Sequence, residues 1–132
     1  MIDSSCHKHR LLALGVDPAI SQAVDQFLQE TGGWRQPVAT VRECMEHLER
    51  EEGPISLLVD LDSISLDDRF FRELLQLKPD CAAIVLSHRT YHPELKEAMR
   101  RNIFATLRKP CSSDELCICL KSVLEKQAAK PG

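Results

Sequence analysis

The sequence predicts an α/β fold, with a five-stranded parallel sheet covered by helices on both faces, and three observations carry that prediction. Short apolar runs alternate five times with stretches whose apolar residues recur at helical spacing, which is the pattern of repeated strand–helix units. One run, Ile55-Ser56-Leu57-Leu58-Val59, follows Gly53-Pro54 and passes straight into Asp60, so it reads as a buried strand ending on a carboxylate. Another, Ala82 to Leu86, contains no polar residue, as expected of a strand covered on both sides.

Each element follows from local signals. Arg10 to Leu14 reads as the first strand and ends at Gly15-Val16-Asp17-Pro18. Pro18 opens a helix with Asp17 as its N-cap, Ile20, Val24, Phe27 and Leu28 line its buried face, and Gly32-Gly33 stops it. Trp34 to Ala39 is a weak second strand whose Pro37 suits a sheet edge. The second helix turns Val41, Cys44, Met45 and Leu48 inward and Arg42, Glu43, Glu46 and Glu49 outward, ending at Glu51-Glu52-Gly53-Pro54.

The third strand runs into Asp60, and after the loop Asp62-Ser63-Ile64-Ser65 a helix is expected over Leu66 to Leu77. That helix buries Phe70 or Phe71 with Leu74 and Leu75, and its first turn carries the charges of Asp67-Asp68. The fourth strand finishes at Ser87-His88, and Pro93 to Asn102 forms a helix with Leu95, Ala98 and Met99 inward. Ile103 to Leu107 is the fifth strand, finishing at Arg108-Lys109-Pro110. Ser112-Ser113-Asp114-Glu115 caps the last helix, whose inward face is Leu116, Cys119, Leu120 and Val123. The first, third, fourth and fifth strands read as buried, and with right-handed crossovers the order 2-1-3-4-5 of the flavodoxin-like group places the Pro-containing strand at an edge. Residues 1–9 read as a flexible N-terminal tail, 10–126 as a single domain, and 127–132 as a tail or the start of a linker.

Composition narrows the function classes. A net charge of -3 gives no electrostatic footprint for nucleic acid, and one Trp, one Tyr and four Phe are too few for a base-stacking platform. No stretch is apolar enough to span a membrane and Met1 to Ser5 lacks a signal peptide's hydrophobic region, so a cytoplasmic protein is expected. The six cysteines form no C-x-x-C pair; Cys44 and Cys119 fall on apolar helix faces as core thiols, and the Cys6-His7-Lys8-His9 cluster lacks a second half for a metal site. No glycine-rich phosphate loop follows the first strand, which argues against a nucleotide binder.

In the expected strand order, Asp17, Asp60, Ser87 and Lys109 stand at the carboxyl ends of strands one, three, four and five, where parallel sheets gather their chemistry. An acceptor carboxylate, a hydroxyl and an ammonium with a further acid make a phosphoryl-handling set. Asp60 attacks as nucleophile, Ser87 and Lys109 hold the phosphoryl oxygens, and acids bind Mg²⁺.

These residues resemble a response-regulator receiver domain of two-component signalling. Val59-Asp60-Leu61 is similar to the phosphoacceptor strand, Ile84-Val85-Leu86-Ser87 to the strand ending in the switch Ser or Thr, and Leu107-Arg108-Lys109-Pro110 to the strand ending in Lys-Pro. The resemblance covers about residues 10–126. It implies a phosphoryl group passed to Asp60 by a sensor histidine kinase or phosphotransfer protein. It further implies a partner face on the fourth helix, fifth strand and last helix that meets an output domain, a partner protein or a second copy of the chain.

The chain departs from the family at several positions. Gly15 and Val16 stand where two adjacent acids hold Mg²⁺, which leaves Asp17, Asp60 and Asp62 as the residues expected to bind the ion. Asp67 and Asp68 replace the usual Asp-Gly, and Ile64 stands where the family has a proline after the acceptor. His88 follows the switch hydroxyl where a small residue is usual, and Thr106 stands where a switching aromatic is usual. The alternative reading is therefore a pseudo-receiver, a protein-interaction or dimerisation module without phosphoryl chemistry, to which Cys117 and Ile118 add apolar surface on the outer side of the last helix.

Overall fold

The alternation of apolar runs becomes, in the computed structural model, five strands and five helices in strict succession. They are β1 (Arg10–Leu14), α1 (Pro18–Thr31), β2 (Trp34–Val38), α2 (Val41–Arg50), β3 (Ile55–Asp60), α3 (Asp68–Leu77), β4 (Ala82–Ser87), α4 (Lys96–Arg101), β5 (Ile103–Arg108) and α5 (Ser113–Ala129). A 3₁₀ turn at Pro93–Leu95 precedes α4. The structure describes residues 10–53, 55–101 and 103–129, the last three by backbone alone, so the Cys6-to-His9 cluster, Pro54, Asn102 and 130–132 lie outside the described residues.

The strands form one parallel sheet in the order β2-β1-β3-β4-β5, as expected. Side chains alternate across it and build two cores. Leu12, Leu14, Leu57, Val59, Ala83 and Val85 pack against α2, α3, the 3₁₀ turn and α4 through Cys44, Leu48, Phe71, Leu74, Leu95 and Ala98. On the other face Leu11, Leu58, Ile84 and Leu86 meet Val24 and Leu28 of α1 and Leu116, Leu120 and Val123 of α5. Burial of such side chains stabilises by roughly 1.5–3 kcal/mol each, which is why the doubly covered β3 and β4 are buried along their whole length.

The caps form where the residue types demand them. Asp17 accepts from Ile20 N at the start of α1, and Gly32 ends that helix with φ 81°. Ser112 and Glu115 make the reciprocal bonds of a capping box on α5.

Four expectations are corrected. The fifth strand is half open, with Thr106 and Arg108 exposed, because it is an outer strand paired only to β4 and flanked by a six-residue α4. The third helix begins at Asp68, since Asp67 is its N-cap, accepting from Phe70 N, and Leu66 stays in the loop as a buried anchor. Phe70 and Phe71 are both buried in that helix, edge to face, and Leu75 is only half-buried. The helix expected from Pro93 is split into the 3₁₀ turn and α4. His92 supplies no side-chain cap there, and the Asp68 carboxylate instead reaches across from α3 to accept from Glu97 N and Ala98 N.

Candidate functional site

Strand register assembles the site. Asp60 at the end of β3 pairs with Leu86, and Ser87 at the end of β4 pairs with Arg108, the residue before Lys109. The backbone bonds Leu61 N to Leu86 O and Lys109 N to Ser87 O carry this register past the strand ends. The Lys109–Pro110 peptide that follows is cis.

Asp60 is 1% exposed, and its carboxylate is satisfied on both oxygens. Lys109 Nζ donates to Oδ2 at 2.7 Å, and Asp62 N donates to Oδ1 at 2.9 Å. The same ammonium lies 3.2 Å from Asp62 Oδ2, so it bridges two carboxylates. The hydrogen bond to Asp60 raises the Lys109 pKa against the opposing cost of burial, and Asp62 adds to the rise. Lys109 is therefore a fixed cation.

Asp62 has a second donor. His88 N–H donates to Oδ2 at 3.2 Å, and His88 Nδ1 lies 2.6 Å from Oδ1, so this nitrogen carries a proton toward an acceptor-only carboxylate. Burial pushes the Asp62 carboxyl up, but hydrogen bonds from His88 and Lys109 outweigh it and hold the pKa below its ordinary value. His88 keeps its ring mostly in water yet is tethered to Asp62, because the loop after β4 runs directly past the loop after β3.

Ser87 is brought to the same strand-end row but faces other partners. Its hydroxyl accepts from Arg89 N at 3.0 Å and shares a 2.8 Å hydrogen bond with His92 Nε2. Ser87 is wholly buried and His92 nearly so. Burial, aided by Arg89, lowers the His92 pKa against the weaker pull of Glu94 and Asp62, which leaves a neutral imidazole at neutral pH. Sequence reasoning missed His92. Its one signal is a polar residue immediately before the proline that opens a helix, which does not distinguish a buried ring from a solvated one.

The expected Mg²⁺ ligands do not fit a divalent cation. Among the described residues, no three His, Cys, Asp or Glu side chains are grouped to hold a metal. Asp17 is committed to capping α1, and Asp60 and Asp62 already share an ammonium. Gly15 has φ +69°, and a Cβ added there would meet Ile64 Cγ1 at 2.7 Å and Ser63 Cβ at 3.2 Å. An acid at position 15 would therefore be strained and would collide with the residue that fills the space above it. Val16 packs into the α1–α5 core instead of offering a ligand. Cys111, close in sequence to Lys109, is not an activated thiol. Burial and Glu115 raise its pKa, and they outweigh the lysine.

The arrangement is thus a three-layer α/β protein whose strand ends hold an ammonium between two carboxylates. Comparison with known proteins gives that architecture solved counterparts. A scan of family models and a search of curated proteins found no match, but solved structures do match. A response regulator receiver domain protein from Methanospirillum hungatei is 20% identical with a TM-score of 0.74, covering 92% of this chain and 97% of its own. The signal receiver domain of an HD domain-containing protein from Pseudomonas fluorescens is 18% identical with a TM-score of 0.75, covering 93% and 99%. The beryllofluoride-activated NtrC4 receiver domain dimer is 20% identical with a TM-score of 0.73, covering 89% and 98%. The chain has the fold of a response-regulator receiver domain. No helix among the described residues is long and apolar enough to cross a membrane.

Proposed function

We propose that the chain is a signalling module of the receiver type that works as a protein-interaction domain without phosphoryl transfer to Asp60. The observation that carries this reading is Gly15 under Ile64, which leaves no room for the first of the two acids that would hold Mg²⁺, while Val16 at the second position packs against the core. An anionic nucleophile attacking an anionic phosphoryl donor then lacks its main electrostatic compensation.

The partner surface in this reading is the α4–β5–α5 face, and its charge names the kind of partner. Elsewhere six arginines pair with carboxylates: Arg10 with Glu51, Arg35 with Asp25, Arg42 with Glu46, Arg69 with Glu73, Arg72 with Glu97 and Arg89 with Glu94. On this face the exposed Lys96, Arg100, Arg101, Arg108 and Lys126 make no ion pair among the described residues. Half-buried Met99, Ile103 and Phe104 lie among them. Cations interleaved with apolar groups suit an acidic protein segment that carries apolar anchors, supplied by an output domain, a separate protein or a second copy of the chain.

A second reading rests on the 2.7 Å contact of Lys109 with Asp60 at the strand ends, which suits a carboxylate that receives a phosphoryl group from a histidine kinase or phosphotransfer protein. Intact mass after incubation with Mg²⁺ and a small phosphodonor separates the two. An unchanged mass, with a kinase also tried, supports the interaction module. A single adduct on wild type that is absent from Asp60→Asn overturns it in favour of the phosphoacceptor.

A further inference from the structure

The helical stretch from Pro93 to Arg101 is broken at one place, and a side chain from another element occupies the break. The 3₁₀ turn Pro93–Leu95 passes straight into α4 at Lys96. In one continuous α-helix the amides of Glu97 and Ala98 would donate to the carbonyls of Pro93 and Glu94, four residues back. In the structure both donate to Asp68, Glu97 N to Oδ2 at 3.1 Å and Ala98 N to Oδ1 at 2.7 Å. A side chain set into the backbone ladder is a known cause of a helix break, and a 3₁₀ segment within a helix marks a hinge. The sequence supplies no such break of its own. Pro93 suits a first helical position, and Glu94 to Arg101 contains no glycine, proline or β-branched residue.

We propose that Asp68 is a latch on this hinge, and that its release lets Pro93 to Arg101 rewind as one α-helix and re-aim the cations of α4. Bonds to an ionised carboxylate are the stronger kind, so the latched form is the resting one. Converting the three residues of the 3₁₀ turn to α geometry turns α4 by roughly 60° and shifts it along its axis by about 1.5 Å. The moving part is α4, because the turn before it is tied down. His92 shares its 2.8 Å bond with buried Ser87, Arg89 pairs with Glu94, and Leu95 is wholly buried with its N–H on His92 O. Lys96, Arg100 and Arg101 make no ion pair among the described residues, and they line one recess with Asp68 and Glu97. A partner that engages these cations therefore meets the latch in the same recess. Asp68 stands where the receiver pattern has glycine, so the latch is a feature of this chain. The proposal deepens the reading of an interaction module, since it names what sets the shape of the partner face, and it rests on that reading for the use of the face.

The test is NMR of the full chain, reading couplings across hydrogen bonds together with amide exchange, in wild type, Asp68→Ala and Arg72→Gln. In wild type, Glu97 N and Ala98 N are expected to show no coupling to the Pro93 and Glu94 carbonyls. In Asp68→Ala both couplings are expected to appear, with the two amides still protected from exchange. Arg72→Gln cuts the 3.1 Å surface pair with Glu97, leaves Asp68 in place and is expected to match wild type. The proposal is overturned if the couplings are already present in wild type, or if Arg72→Gln produces them as well. It is equally overturned if Asp68→Ala gains no coupling, whether its amides stay protected or open, since Asp68 is then a plain cap. Should Asp68→Ala fail to fold, Asp68→Asn, which keeps one acceptor oxygen and loses the charge, decides by the same criteria. Failure of the broader reading is separately visible as a mass adduct on wild-type Asp60 with a phosphodonor, and it leaves these couplings untouched.

Discussion

The strand-end site and the α4–β5 edge are both rich in charge, and they treat it in opposite ways. At the strand ends Asp60, Asp62, Lys109 and His88 are closed on one another at hydrogen-bonding distance around a carboxylate that is 1% exposed. Along the edge Lys96, Arg100, Arg101 and Arg108 project from a short helix and an outer strand without carboxylate partners among the described residues. Buried charges must be paired within the molecule, while exposed ones are left to solvent or to a partner. At the strand ends the carboxylates and the ammonium are paired with one another, whereas the edge cations have no ion-pair partner among the described residues.

The comparison breaks most severely if the bridging cation is removed. Lys109→Ala leaves Asp60 buried beside Asp62 with no cation between them, and a loss of about 3 kcal/mol is expected, read as a lowered urea midpoint. A midpoint within error of wild type would mean that the two carboxylates are not held by Lys109. Next in size is Gly15→Asp, which combines a positive φ with the approach to Ile64 and is expected to cost about 2 kcal/mol. Adding Ile64→Ala should return part of that loss, because only the steric share is relieved.

Smaller effects follow from pH. The folded-state pKa of His92 is lowered, so the unfolded chain binds the proton first, and stability is expected to fall as pH drops below about 6.5. His92→Gln should flatten that slope in urea midpoints measured between neutral and mildly acidic pH. Asp62, also lowered, contributes stability that is lost only at more acidic pH, as its carboxylate protonates. Lys109, raised, contributes stability that is kept until pH rises through its folded pKa. The smallest effect on the fold is expected at the edge. Arg100→Glu with Arg101→Glu should leave stability within about 0.5 kcal/mol while weakening the capture of an acidic partner. A large destabilisation would show that these arginines are structural after all.

Much of this was legible from residue types alone. Pro18 after Asp17, Gly32 after Leu28 and the Ser112–Glu115 spacing mark helix ends through bonds that span only three or four residues, and those bonds form as expected. The apolar runs of β3 and β4 marked the sheet centre because a strand covered on both faces has no polar alternation. Less legible were features that depend on distant elements. Asp68 reads as an ordinary first-turn acid, yet it caps a helix 29 and 30 residues further on. The fifth strand reads as buried because Ile103, Phe104 and Leu107 are apolar, and its exposure comes from the brevity of α4.

By itself, then, the sequence determined the alternation of elements, the strand order with Pro37 at an edge, and the row of Asp60, Ser87 and Lys109 at the strand ends. Local propensity, capping and burial period act over short stretches of chain and can be read from them. Only the tertiary structure decided what that row does. It set Ile64 over Gly15, Asp62 against His88 and Lys109, and His92 beneath Ser87. These contacts join loops 5 to 49 residues apart, and their distances depend on how the strands are registered and the loops packed, which no short window of residues encodes.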